Sequence, residues 1–402
     1  MKLSRLLATA AIAGLVAGSA AAQDFTVKLG ILNDQSSLYA DLTGQGSVVA
    51  ARLAVEDFGA AAKGLKVDII FADHQNKADV GSNLARQWLD VDKVDAIVDV
   101  PNSAVALAVN QVIKEKNKVF LVSGAAASDL TGKACSPNTV HWTYDTWALA
   151  NGTGKALVKT GGDSWYFLTA DYAFGLALER DTAEVVKANG GKVLGQVRHP
   201  LNSSDFSSFL LQAQASKAKV IGLANAGGDT TNAIKQAAEF GIVQGGQSLA
   251  GLLVFITDVH SLGLQTAQGL VMTESFYWDL NDQSRAFAKR FTPLDKGIHP
   301  TMIHAGVYSA VTHYLKAVAA TKTRDGAKIV EAMKAMPTDD PLFGKGTIRA
   351  DGRKIHDMYL FEVKKPAESK AAWDYYKLKA TIPAAEAFRP LDQGECPLVK
   401  KG

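Results

Sequence analysis

The chain has 402 residues, 47% of them hydrophobic and 21% charged, with 35 Gly, 11 Pro and two Cys. This composition excludes a disordered, collagen-like or disulfide-scaffold protein, and the length predicts two or three domains with cores of their own. The formal charge is +3, and the 43 Lys+Arg are scattered rather than gathered on one face, which argues against a nucleic-acid partner.

Lys2 and Arg5 precede the apolar run Leu6–Ala17, and small residues follow up to Ala20-Ala21-Ala22. A charged start, a short apolar stretch and an A-x-A site make residues 1–22 a secretory signal peptide, with Gln23 as the expected mature N-terminus and the periplasm as the expected location. Losing Lys2 and Arg5 leaves 41 basic against 40 acidic residues, a net +1. In an oxidising compartment Cys135 and Cys396 are candidates for one long-range disulfide.

Phe25–Leu32 predicts an opening strand that ends in the polar turn Asn33–Ser36, followed by a helix over 46–58. The pattern then repeats: strand 66–71, helix 77–91, strand 94–98, helix 103–116 and strand 119–122. After a break near 135–144 it restarts with strand 164–168 and helix 172–188. Strand 192–197, helix 205–216, strand 220–223, helix 229–240 and strand 249–255 follow. An extended stretch over 269–278 leads to helices 284–291, 302–320 and 327–335, then to strands near 347–348 and 358–363. From Lys364 onward four prolines predict a mostly irregular tail. Strands alternating with helices predict an α/β fold of doubly wound parallel sheets, in two lobes.

No G-x-S-x-G, H-E-x-x-H or G-x-x-x-x-G-K-[ST] motif occurs, and the eight His are dispersed, so nothing points to catalysis, to a metal or to a bound cofactor. Binding chemistry is better represented. Two loops follow strands: Asp99-Val-Pro-Asn-Ser103, where Asn102 or Ser103 can cap a helix, and Ser123-Gly-Ala-Ala-Ala-Ser-Asp129, whose small side chains allow close approach to the backbone. Together they could grip a carboxylate through N–H groups and hydroxyls. Tyr39, Tyr144, Trp147, Phe174 and Trp278 lie near strand ends and are candidates for apolar contact.

The order of segments resembles the periplasmic solute-binding proteins of branched-chain amino acid type ABC importers, which have the type I periplasmic binding fold. The resemblance spans the mature chain. It rests on the Asn33–Tyr39 turn, Ala54-Val-Glu-Asp57, Asp99–Ser103, Ser123–Thr131, Asp171-Tyr-Ala-Phe-Gly175 and Ala305-Gly-Val-Tyr-Ser309. It implies a monomer whose two lobes, joined by three crossings near 142–146, 273–277 and 341–344, close on a solute and dock on a membrane permease. Lobe one would be 23–142 plus 276–340, and lobe two 143–275 plus 341–402. It further implies that Asn102 or Ser103, Ala125 and Ala126 face the solute carboxylate, with Ala126 where a Thr is expected. Phe174 and Ala226 stand where tyrosines would hold an ammonium, and Asp258 matches the acid. Val100 and Asn225 complete the expected set with Tyr39, Tyr144 and Trp278. A phenyl ring cannot accept a hydrogen bond as a phenol can, so the leading expectation is a small organic acid with an apolar or aromatic body. A branched-chain or related amino acid is the alternative, with a ligand-sensing subunit or an exported enzyme behind them.

Overall fold

Short apolar strands with both faces covered organise the chain into two parallel sheets, as described for residues 25–400 in a computed structural model. The predicted signal peptide lies outside the described residues. In the first sheet β1 (Phe25–Asn33), β2 (Leu65–Asp73), β3 (Ala96–Asp99), β4 (Val119–Val122) and β5 (Thr139–His141) are ordered β2-β1-β3-β4-β5. The second takes β6 (Ser164–Ala170), β7 (Lys192–His199), β8 (Val220–Ala224) and β9 (Ser248–Gly251) in the order β7-β6-β8-β9. Every residue of β3, β4 and β8 is buried, which is why these strands read as unbroken apolar runs.

After β10 (Val271–Glu274) the chain returns to the first sheet. Helix Met302–Thr321, buried along most of its length, packs there beside helix Gly44–Phe58. Its Gly306 lets the connection after β5 pass close by, since a Cβ would meet Thr143 Oγ1 at 2.0 Å. β11 (Thr338–Asp340), β12 (Gly344–Ile348) and β13 (Lys354–Ile355) then form a small antiparallel sheet. β14 (Met358–Val363) and β15 (Tyr376–Ile382) add antiparallel to β10.

Two features depart from the expected organisation. Residues 344–356, expected with the second lobe, lie against the first sheet. Arg353 bridges His141, and its buried guanidinium donates to Tyr144 O at 2.9 Å and faces Asp145 at 3.5 Å. Lys354 is equally buried and pairs with Asp340 at 3.5 Å. Buried cations must lie where carboxylates and carbonyls are, and here those flank the first connection between the sheets. The tail is also not wholly irregular. β15 buries Tyr376, exposes Lys377 to Thr381, and belongs to the sheet of β10. Beyond β15 the chain runs back to the first sheet, where Cys396 is bonded to Cys135, with a Cα–Cα separation of 5.6 Å.

Candidate functional site

In a doubly wound sheet a crevice opens at the carboxyl ends of the strands where the order reverses. The first sheet reverses between β1 and β3, so the turn after Asn33 and the loop after Asp99 diverge there. The second reverses between β6 and β8, opening the loops that begin at Asp171 and Asn225. The two crevices face each other. Tyr39 and Tyr172, one from each side, join hydroxyls, and Gly227 (φ +58°) lies so close to Leu38 that a Cβ would fall 2.7 Å from its carbonyl oxygen.

Between them lies a small cavity of about 20 Å³. The first-sheet side supplies Tyr39, Leu42, Pro101, Gly124, Ala126 and Ile303. The second-sheet side supplies Tyr172, Phe174, Ala226, Leu253 and Phe255, and Tyr144 comes from the first connection. No lining side chain is charged. The polar contributions are three phenols, all pushed up by burial and therefore present as neutral O–H groups: Tyr39, Tyr144 and Tyr172. Tyr144 donates to Gly124 O at 2.6 Å, so its oxygen remains an acceptor.

Behind the first-sheet wall, two loops gather backbone amides. Asn102 Oδ1 caps helix Ser103–Lys116 by accepting from Ala104 N and Val105 N at 2.9 and 3.2 Å. Ser103 Oγ accepts from Ala126 N and Ala127 N at 3.3 and 3.2 Å. These long bonds to one hydroxyl leave amides that an anion could take over, beside the positive end of a 14-residue helix.

Of the thirteen residues named from sequence, Tyr39, Ala126, Tyr144, Phe174 and Ala226 line the cavity. The others stand behind it or away from it. Val100 is buried with φ +54°. Asn102 and Ser103 are engaged as just described, and Ala125 offers its carbonyl to His141 Nε2 at 2.7 Å. Asn225 is turned to His199 Nε2 (3.1 Å) and Thr230 Oγ1 (2.7 Å). Asp258 accepts from Phe255 N at 2.9 Å as part of its own helix cap and lies in a neighbouring recess near Asp41, with burial pushing it up to about 7. Trp278 donates to Trp373 O at 2.8 Å and packs edge-on to His299. Trp147 belongs to a polar recess with Arg180 and Arg389.

Sequence reasoning missed Tyr172, although it lies inside the quoted Asp171–Gly175 segment, and it missed Leu253 and Phe255. That last pair was read as the end of a strand over 249–255. The strand stops at Gly251, and the following residues form the cavity wall before helix Ile256–Leu262. Their apolar character gave no signal, because a wall of this kind resembles core.

A model of the family described as periplasmic binding protein matches residues 26–370. Among solved structures, a periplasmic binding protein from Burkholderia mallei is 56% identical, with TM-score 0.91 over 94% of this chain and 100% of that one. A branched-chain amino acid ABC transporter periplasmic ligand-binding protein from Burkholderia xenovorans LB400 is 41% identical, with TM-score 0.82 over 92% and 99%. A solute-binding protein of an ABC transporter from R. palustris, in complex with benzoate, shares the fold at 22% identity and TM-score 0.79 over 89% and 97%. The chain belongs to the periplasmic binding protein family, as an ABC-type solute-binding protein of a group that binds solutes rather than transforms them.

Proposed function

We propose that this protein captures a small carboxylate with an apolar or aromatic body between its two sheets and delivers it, unchanged, to an ABC permease at the membrane. The observation that carries this reading is the uncharged, aromatic-lined cavity with backbone amides gathered behind its wall. A zwitterionic amino acid needs a partner for its ammonium, and an unpaired charge buried in a closed cleft is costly. Where the wall comes from the segment after β9 it presents Leu253 and Phe255, and Asp258 is engaged in its own helix cap. A carboxylate needs only N–H donors, which Ala126, Ala127 and the N-terminus of helix Ser103–Lys116 can supply. The R. palustris neighbour holds benzoate in the same fold, and that likeness extends to fold alone.

Capture proceeds by closure. The two halves, with boundaries near 142 and 276, turn about the crossings between the sheets, and the solute binds the closed arrangement better than the open one. Hydrogen bonds from several amides and one buried ring suffice for a micromolar Kd, about −8 kcal/mol. Function in the periplasm as a monomer fits the family and the signal peptide expected over residues 1–22.

A second reading, a branched-chain amino acid, is favoured by the 41%-identical Burkholderia relative and by the aliphatic wall of Leu42, Leu253 and Ile303. Calorimetric titration separates the two. Benzoate and related acids should bind at micromolar Kd while leucine gives no heat, and tight leucine binding with no response to any organic acid would overturn the first reading.

A further inference from the structure

β3 ends on Asp99, a fully buried residue with φ +82°. Its carboxylate accepts from Asn33 Nδ2 at 3.1 Å, Ser47 Oγ at 2.6 Å and Ser123 Oγ at 3.0 Å. All three donors are neutral, and among the described residues no Lys or Arg pairs with it. The carboxylate lies immediately behind the cavity wall. A Cβ added to Gly124, which lines the cavity, would fall 2.8 Å from Asp99 Oδ1. A solute carboxylate seated on the Ala126 and Ala127 amides would therefore share one desolvated region with a second negative charge, and like charges so placed do not both remain ionised.

We propose that capture of the anionic solute is coupled to uptake of one proton by Asp99. The inference rests on the carboxylate reading given above. The proton comes from the medium and goes to Oδ1. Asp99 then donates to Ser123 Oγ, whose hydroxyl reverses from donor to acceptor, while Oδ2 keeps its bonds from Asn33 and Ser47. No bond of the solute changes. Burial already holds Asp99 up to about 6, within reach of neutral pH. The titratable groups around this network are few. Tyr144 faces it from the first connection. The carboxylate of Asp34, beside Asn33, is turned to the amides of Ser36, Ser37 and Tyr39. His304 and Asp295 flank Gly46 on the far side of Ser47. Asp229 and Asp258, near the mouth of the cleft, lie close enough to neutrality to require a variant that isolates Asp99.

The test is titration of the mature protein with benzoate at pH 7.5 in buffers of different ionisation enthalpy, repeated from pH 8 to 6.5. The wild type should take up about one proton per benzoate, with Kd falling by up to roughly tenfold per pH unit. In Asp99→Asn the uptake should vanish and Kd should become flat with pH. In Ser123→Ala, which keeps the acid and serves if the first variant does not fold, uptake should persist with its midpoint moved to higher pH. Heats independent of buffer in the wild type, or undiminished uptake in Asp99→Asn, overturn the coupling while leaving the carboxylate reading intact. Failure of any carboxylate to bind overturns that reading and the coupling with it.

Discussion

Gly227→Ala separates closure from folding, because the new methyl group acts on each through a different term. Gly227 has φ +58° and ψ −133°, a combination that favours glycine, so alanine there strains the backbone whether the lobes are open or closed, at a cost of about 1–3 kcal/mol in stability. The second term exists only when the halves meet. The Cβ would lie 2.7 Å from Leu38 O and 3.1 Å from the Tyr39 ring, both on the opposite side of the cleft, where ordinary contact begins near 3.4 Å. Backbone and a packed ring cannot retreat as a flexible side-chain end can, so the closed arrangement should lose about 1–3 kcal/mol, the usual cost of overpacking. Since the solute binds the closed form, Kd should rise by a factor of roughly 5 to 150. Calorimetric titration gives the affinity and a melt of the unliganded protein gives the first term. A modest fall in melting temperature with an unchanged Kd would refute the claim that this contact forms on capture.

The remaining predictions concern the cavity, the buried acids and the crosslink. Phe174→Ala removes a ring that is 3% exposed and lines the cavity, and if half of its area faces the solute the loss is about 2 kcal/mol, a roughly thirtyfold rise in Kd by titration. Burial raises Asp99, Asp229 and Asp295 to about 6 and Asp258 to about 7, so the native state holds protons that an unfolded aspartate, titrating near ~4, releases. Their contribution to unliganded stability should therefore grow as pH falls from 8 towards 6, so by calorimetry the wild type should gain on Asp258→Asn as the pH is lowered over that range, and a difference that stays constant with pH would refute the shift. Cys396→Ser opens the link to Cys135 and should lower stability by ~2–4 kcal/mol in denaturant titration, and unreduced wild-type protein should show no alkylatable thiol by mass spectrometry.

Much of the architecture was legible because the βα rhythm is a property of burial. Strands covered on both faces must be apolar throughout, and helix Met302–Thr321 declares itself by its length and pattern. β15 was hidden because its flanks carry prolines and its outward residues include Lys377 and Lys379, which resemble a solvated tail. The cations that flank the first connection could not be read. Arg353 and Lys354 look like surface cations in sequence, and only tertiary placement beside Asp145 and Asp340 makes them buried. At the site, the turn residues and small loops were visible through their chemistry, and Phe174 and Ala226, the residues from which a weakened ammonium cage is expected, both line the cavity. Leu253, Phe255 and Ile303 had no signature, because an apolar side chain facing a solute is the same, in sequence, as one facing the core. Asp258 misled for the opposite reason: a carboxylate in a cap satisfies its own helix.

The most direct measurement is to identify what the protein carries. Purified from cells fed a mixed pool of aromatic acids and amino acids, then denatured and extracted, it should release an intact carboxylic acid of apolar or aromatic body in near-equimolar amount, as read by mass spectrometry. Release of leucine, isoleucine or valine instead, or of a chemically altered acid, would contradict the account.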